Sequence, residues 1–177
     1  CLISCIRHGK DAAAAASGKR CVVVLGNTGA GKSAFINLLA GCEFAYEDDD
    51  RMVVRADSAV AELMRIGHSN VSETFAPQVE DASSSLGAGF AFADCPGFLD
   101  NRGFEINVAN AVNVAQTVSA SESIVCVVVV NYYSLRADRG KGLQDLLAIR
   151  HCIFAIGSSG NNKSESWKTL ANCWASS

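Results

Sequence analysis

The chain has 177 residues, of which 49% are hydrophobic and 19% are charged, a length and composition that favour one compact domain and argue against two. Its net charge is −3 at pH 7, and its positive charges are scattered along the chain rather than massed on one stretch. This pattern carries no nucleic-acid signal and none for an anionic membrane.

The cysteine pattern predicts a reduced, cytoplasmic protein rather than a disulfide framework. The eight cysteines form no CxxC pair and no Cys/His ligand spacing. Several, including Cys21, Cys126 and Cys152, lie in apolar runs, where a free cysteine behaves as a buried hydrophobe. No apolar run approaches the roughly 20 residues that span a bilayer, so no transmembrane segment is expected. Because no initiator methionine is present, we expect the chain to be a fragment.

The first predicted elements lie on both sides of a glycine-rich loop. Residues 1–20 form an N-terminal extension whose alanine run can be a short helix. The apolar run 21–25 is typical of a strand buried on both faces of a parallel sheet. Residues 32–39 have the apolar spacing of a helix, which Gly41 is expected to end.

Later elements repeat the alternation. Strands are predicted at 90–93, 123–130 and 153–156, and 52–54 is a candidate strand. A helix is predicted over 104–120 and a second after Asp138, a good N-cap residue. Segment 59–66 is either helix or strand, 78–88 is predicted to be a loop, and 157–177 is a polar tail. The alternation predicts an α/β fold with a doubly wound sheet.

Residues 26–33 match a complete G-x-x-x-x-G-K-[ST] motif between a predicted strand and a predicted helix. Its glycines let backbone N–H groups turn inward around the α and β phosphates of a nucleotide, at a helix N-terminus. Lys32 is expected to reach the β and γ phosphates, and the Ser33 hydroxyl to bind Mg²⁺. The predicted nucleotide contacts are Asn27, Thr28, Gly29, Ala30, Gly31, Lys32, Ser33 and Ala34.

A second motif, Asp94-Cys95-Pro96-Gly97, directly follows the predicted strand 90–93. Asp94 therefore lies at the carboxyl end of a strand, where a doubly wound sheet places its ligand. It is a predicted Mg²⁺ ligand, and the Gly97 N–H is expected to face the γ phosphate with no Cβ in the way. The alternative is a tight turn, since Pro-Gly is a common turn pair.

The two motifs together resemble the translation-factor-related class of GTPases, particularly its AIG1-like and septin-like families, over residues 21–156. The resemblance implies a three-layer P-loop NTPase fold with a mainly parallel sheet, and GTP and Mg²⁺ as ligands. It also implies a threonine that closes over Mg²⁺ and the γ phosphate. Thr74 is the best match, Ser72 is its rival, and an ordinary loop threonine is the alternative. The predicted catalytic residues are Lys32, Thr74 and Gly97.

The C-terminal part departs from the family pattern. The guanine-reading N/T-K-x-D motif is expected just after strand 153–156, but the nearest match is Asn162-Lys163-Ser164-Glu165, which is displaced and has Glu for Asp. Asn162, Lys163 and Glu165 are the predicted base contacts, with a solvated loop as the alternative. Too few residues follow for the last strand and helix, so the resemblance implies an incomplete fold.

The sequence leaves three functions open. The first is a GTP-dependent switch with slow hydrolysis, because Phe98 follows Gly97 and cannot orient water. Thr28, Arg102 or an arginine from a partner are the candidates to assist turnover, with a structural or solvent-facing role as the favoured alternative for each. A homodimer or an activating protein is a further candidate. The second is a nucleotide-dependent assembly module with negligible turnover. The third is an ATP-using P-loop kinase or ATPase, which needs no guanine motif.

Overall fold

The computed structural model of this chain describes residues 2–67, 76–97 and 104–137, with Gln144 and Leu147. Helices and strands follow one another along the chain in an α/β fold. The described helices are α1 (Leu2–Ala16), α2 (Lys32–Ala40), α3 (Ser83–Leu86), α4 (Phe104–Ala120) and α5 (Tyr132–Ala137). The described strands are β1 (Arg20–Leu25), β2 (Phe44–Tyr46), β3 (Met52–Val54), β4 (Gln78–Asp81), β5 (Phe90–Asp94) and β6 (Ser123–Val128).

The main sheet is mixed and mostly parallel. Its four strands lie in the order β4-β5-β1-β6, with β5 and β6 parallel to β1 and with β4 antiparallel to β5. The predicted α/β class is therefore confirmed at this level. β2 and β3 form a separate antiparallel pair, and the residues 46–51 around its tip are all exposed. At that tip Arg51 pairs with Glu47 and Asp49.

β1 is buried on both faces, as its apolar run predicts. Alternate side chains Cys21, Val23 and Leu25 pack in one cluster, together with Val114 and Val118 of α4. The opposite face of β1 contributes Val24 to a second cluster, which contains Ile36 of α2 and Phe92 of β5. Helices thus cover both faces of the sheet around β1, because strand side chains alternate between the two faces.

The N-terminal helix packs against α4 and is longer than the short helix predicted, with 15 residues. Small side chains make this contact close: Ala12 and Ala16 are buried. A Cβ added at Gly9 would meet the Asn113 side chain, including its Cβ at 2.9 Å. The first strand then begins at Arg20, one residue before the predicted start.

Two predicted segments differ from the structure. The loop predicted for 78–88 is wrong, because it contains β4 and α3. β4 has few apolar side chains and is formed by backbone pairing with β5, from Gln78↔Asp94 to Asp81↔Ala91. Segment 59–66 is neither helix nor strand. Side-chain hydrogen bonds hold it instead, including those that the Leu63 and Met64 amides donate to Asn37 Oδ1.

The apolar run 123–130 also differs from a strand buried on both faces. β6 ends at Val128, and Val125 is 61% exposed. Within the described residues β6 lies at an edge of the sheet, next to β1 alone. Apolar composition therefore marked the strand correctly but not its burial.

Several predictions fall outside the described residues. They are the strand 153–156, the tail 157–177 and most of the helix after Asp138, of which only Gln144 and Leu147 are described, both as helical. The helices in the described ranges include none with the length and apolarity to cross a membrane.

Candidate functional site

The candidate site lies where β1 and β5 end. The two strands are parallel neighbours, with Val24 opposite Asp94, so the loops that follow them emerge side by side. The Ser33 Oγ donates a hydrogen bond of 2.5 Å to Asp94 Oδ2. The structure thus brings together the two sequence motifs, whose contacting residues are 61 positions apart.

The loop 26–33 has the backbone shape that its glycines permit. Gly29 and Gly31 have φ values of 74° and 90°, in the left-handed region that favours glycine. Apart from the glycine itself and its two chain neighbours, no described atom lies within 4 Å of a Cβ built at either position, so this side of the loop is open. The Ala30 N–H donates to the Asn27 carbonyl at 3.1 Å and closes a turn within the loop.

The first amides of the helix that follows, α2, do not take part in its own backbone hydrogen bonds. Gly31 is the N-cap of α2, and no side chain caps the helix there. Its first backbone hydrogen bond runs from Phe35 N–H to Gly31 O at 2.9 Å. The amides of Lys32, Ser33 and Ala34 precede that bond, and such first-turn amides favour an anion.

Lys32 is folded inward rather than extended into solvent. Only 8% of its surface is exposed, and its Nζ donates to the Asn27 carbonyl oxygen at 3.1 Å. Burial lowers the pKa of Lys32 below its ordinary value, while the nearby Asp94 carboxylate opposes this shift. The loop therefore holds a partly desolvated cation within reach of any group that displaces the Asn27 contact.

Asp94 is buried, and only one of its two carboxyl oxygens has a hydrogen-bond partner among the described residues. It is 4% exposed, and the oxygen without such a partner is Oδ1. Burial raises the pKa of Asp94, whereas the Ser33 hydrogen bond and the Lys32 charge oppose that change. The Oδ1 of Asn27 and the Oγ1 of Thr28 are likewise buried and without a partner in this part of the chain.

The oxygen atoms of Ser33 and Asp94 suit Mg²⁺ better than they suit a metal that takes all its ligands from protein side chains. In the described ranges, no three or more His, Cys, Asp and Glu residues form a metal-binding cluster. Mg²⁺ prefers oxygen ligands and commonly takes only one or two from the protein, with phosphate and water oxygens completing its shell. The Ser33 hydroxyl and the Asp94 carboxylate supply such oxygens at one point.

Gly97 is buried against the loop 26–33. A Cβ added at this position would lie 2.7 Å from the backbone nitrogen of Thr28 and 2.9 Å from its Cα. The glycine therefore allows the segment after β5 to contact the loop after β1. The sequence predicted a need for glycine here, but it did not indicate that Thr28 fills the space.

Several predicted site residues lie outside the described part of the chain. They are Thr74 and its rival Ser72, Phe98, Arg102, Asn162, Lys163 and Glu165. The described members of the predicted site, from Asn27 to Ala34 with Asp94 and Gly97, lie in the two adjoining loops and the first turn of α2. Sequence reasoning missed Asn37, whose only signal was a polar residue among the apolar positions of a helix.

The groups gathered at this edge of the sheet are of the kinds that suit a polyphosphate. They are first-turn amides of α2, a buried lysine and a hydroxyl–carboxylate pair. Comparisons with protein families, with curated proteins and with solved structures found no significant match to this chain.

Proposed function

We propose that the chain binds a Mg²⁺–nucleoside triphosphate, with GTP as the preferred nucleotide, through residues 26–33 and 94–97. The Ser33–Asp94 hydrogen bond is the observation that supports this most, because it joins the two motifs at their expected ligands. The chain is then a GTPase-type G domain of the translation-factor-related class. The helices on both faces of the β1 region support the proposed three-layer P-loop fold.

Each residue of the site has a defined role in this proposal. The amides of 29–33 surround the α and β phosphates, and Lys32 exchanges the Asn27 carbonyl for the β and γ phosphates. Ser33 and Asp94 hold Mg²⁺, which neutralises phosphate charge when bound. The Gly97 N–H donates to the γ phosphate. Thr74 is proposed as a further metal ligand, and Asn162, Lys163 and Glu165 as base contacts.

Hydrolysis is proposed to be slow. Phe98 has no group that can orient an attacking water at the position after Gly97. The bound γ phosphate would then persist, and the protein would act as a switch whose triphosphate state is recognised by a partner.

A second candidate is a nucleotide-dependent assembly module. The same Phe98 favours it, since assembly needs bound nucleotide but not turnover. Light scattering with GTP and with GDP, combined with phosphate release, separates the two functions. A particle size that changes with nucleotide while phosphate release stays negligible identifies the assembly module.

Competition binding tests the nucleotide proposal. A fluorescent GTP analogue is displaced by GTP, ATP, GDP or ADP, with Mg²⁺ or with a chelator. We expect GTP to compete best and Mg²⁺ to strengthen binding. Lys32→Ala is expected to lose binding, whereas Lys10→Ala, at an exposed position of α1, retains it.

The outcomes separate the parts of the proposal. Stronger competition by ATP overturns the GTPase assignment and leaves the phosphate site intact. Equal binding by Lys32→Ala and the unchanged chain overturns the phosphate site itself.

A further inference from the structure

Asn37 connects α2 to a segment that has no regular secondary structure. The side chain is fully buried, and its Nδ2 donates to the Met64 carbonyl oxygen at 2.6 Å. Its Oδ1 accepts hydrogen bonds from the amides of Leu63 and Met64 at 2.9 and 2.8 Å. Both ends of one amide group therefore hold residues 63 and 64 against the helix.

Three hydrogen bonds of Asn37 thus attach residues 63 and 64 to α2, and apolar packing adds to them. Met64 is also fully buried, in the cluster that includes Ile36. Cys42 adds a contact of 3.3 Å from its Sγ to the Ala61 carbonyl, just after the end of α2. Without Asn37, two amides and one carbonyl would lose their partners in a water-poor region, which is costly.

The same helix carries the phosphate chemistry at its other end. Ser33 and Asn37 are four residues apart, so they lie on the same side of α2, one turn from each other. Ser33 contacts Asp94, and Asn37 contacts residues 63 and 64. With only nine residues, α2 is short enough to move as one unit when its first turn binds a ligand.

We propose that Asn37 is a positioning residue that couples the phosphate loop to the segment 61–67. Ligand that fixes the first turn of α2 also restricts the detachment of residues 63 and 64. In the reverse direction, the attached segment holds α2 in the orientation that binds phosphate, because linkage between two sites is reciprocal. This inference rests on the proposed nucleotide binding and names a residue that controls its strength.

Amide hydrogen exchange tests the coupling in the full chain without any substitution. The Leu63 and Met64 amides report directly on the contact, since both donate to Asn37. We expect saturating GTP with Mg²⁺ to slow their exchange by at least about fivefold, the lower end of usual coupling between sites. If these amides exchange faster than those of β1, and so by local opening, a purely structural attachment predicts no change when nucleotide binds.

Substitution supplies the reverse measurement. Asn37→Leu removes all three hydrogen bonds and keeps a good helix former in place. We expect it to speed exchange at residues 63 and 64 and to weaken GTP binding by the same factor by which GTP slows exchange in the unchanged chain. Leu38→Ala, at a neighbouring position that is exposed, is the matched control and is expected to change neither quantity.

The outcomes separate the coupling from the proposed nucleotide binding on which it rests. No GTP binding by the unchanged chain overturns the proposed function and the coupling together. Binding with unchanged exchange at Leu63 and Met64 overturns the coupling alone. Because that measurement needs no variant, it decides the question even if Asn37→Leu does not fold.

Discussion

Thr28 and Gly97 determine how closely the two loops of the site approach. Thr28 belongs to the loop after β1, and Gly97 to the segment after β5. The tight contact involves backbone atoms of Thr28, which cannot rotate away as the end of a side chain can. The spacing of the two loops therefore depends on one missing Cβ.

Gly97→Ala is expected to weaken triphosphate binding by at least about tenfold, because it displaces the Gly97 N–H from the γ phosphate and a hydrogen bond to a charged group is worth about 1.5–3 kcal/mol. The added methyl group would press on Thr28 N and Cα and move the segment that carries Asp94. Equilibrium titration with GTP and Mg²⁺ measures the change. Ser84→Ala, at an exposed position of α3, is the control. Unchanged affinity in Gly97→Ala would contradict the proposed approach of this segment to the phosphates.

Ser33→Ala is expected to remove the Mg²⁺ dependence of nucleotide binding. It deletes the hydroxyl proposed to bind the metal and leaves both oxygens of the Asp94 carboxyl without a side-chain partner. Loss of that hydrogen bond should also lower the free energy of unfolding by about 1–3 kcal/mol. Titrations with and without a chelator measure the first effect, and denaturant unfolding measures the second.

Ser33→Thr is the matched variant, because the motif accepts either hydroxyl. It should retain the response to Mg²⁺. A Ser33→Ala protein that still binds GTP more strongly with Mg²⁺ would show that the hydroxyl is not a metal ligand.

The contact between α1 and α4 depends on the small size of Gly9. Alanine usually stabilises a helix interior relative to glycine by up to about 1 kcal/mol. Here its Cβ would collide with the side chain of Asn113, a buried residue of α4. Packing and helix propensity therefore act in opposite directions at one position.

We expect packing to prevail, so that Gly9→Ala lowers the free energy of unfolding by about 1 kcal/mol or more, within the usual range for an overpacked core. Denaturant unfolding followed by circular dichroism measures it. Ala15→Gly, at an exposed position of the same helix, reports the propensity effect alone. A more stable Gly9→Ala protein would show that α1 does not pack on α4 in this way.

The elements that were predictable are those in which burial controls the pattern. α4 follows apolar spacing and has the predicted bounds of Phe104–Ala120. α2 forms where it was predicted, although two of its apolar residues, Leu38 and Leu39, are exposed. β4 was missed because its side chains are mostly polar and its strand character comes from pairing with β5. Segment 59–66 was ambiguous because its order comes from Asn37, which is distant in sequence.

The described part of the candidate site was predictable from two short motifs and the pairing of the strands that precede them. Its residues come from two short motifs, and parallel pairing of β1 with β5 places the strand ends together. The Ser33–Asp94 contact follows from that register. The burial of Lys32 and the contact between Gly97 and Thr28 could not be read from spacing, because they depend on the three-dimensional course of the loops.

For the molecule as a whole, β1 belongs to both cores and ends at the proposed ligand site. Ligand that binds only the folded state should therefore stabilise the entire domain. At 100 times its Kd, the expected gain is about 2.7 kcal/mol. For a chain of this size that corresponds to a rise in Tm of roughly 5 to 10 °C.

Thermal unfolding with GTP and Mg²⁺ measures this shift. A chelator should remove most of it, and Lys32→Ala should show none. An equal shift in Lys32→Ala would place the ligand elsewhere on the molecule.

The β2–β3 hairpin also has a practical consequence for labelling. Its tip, residues 46–51, is wholly exposed, and β2 and β3 pair only with each other among the described strands. Lengthening such a surface turn costs little free energy, because closure entropy grows slowly with loop length. A peptide inserted between Asp49 and Asp50 would therefore leave both cores intact. An epitope there would tether the protein to a surface, and a fluorophore-accepting peptide would label it.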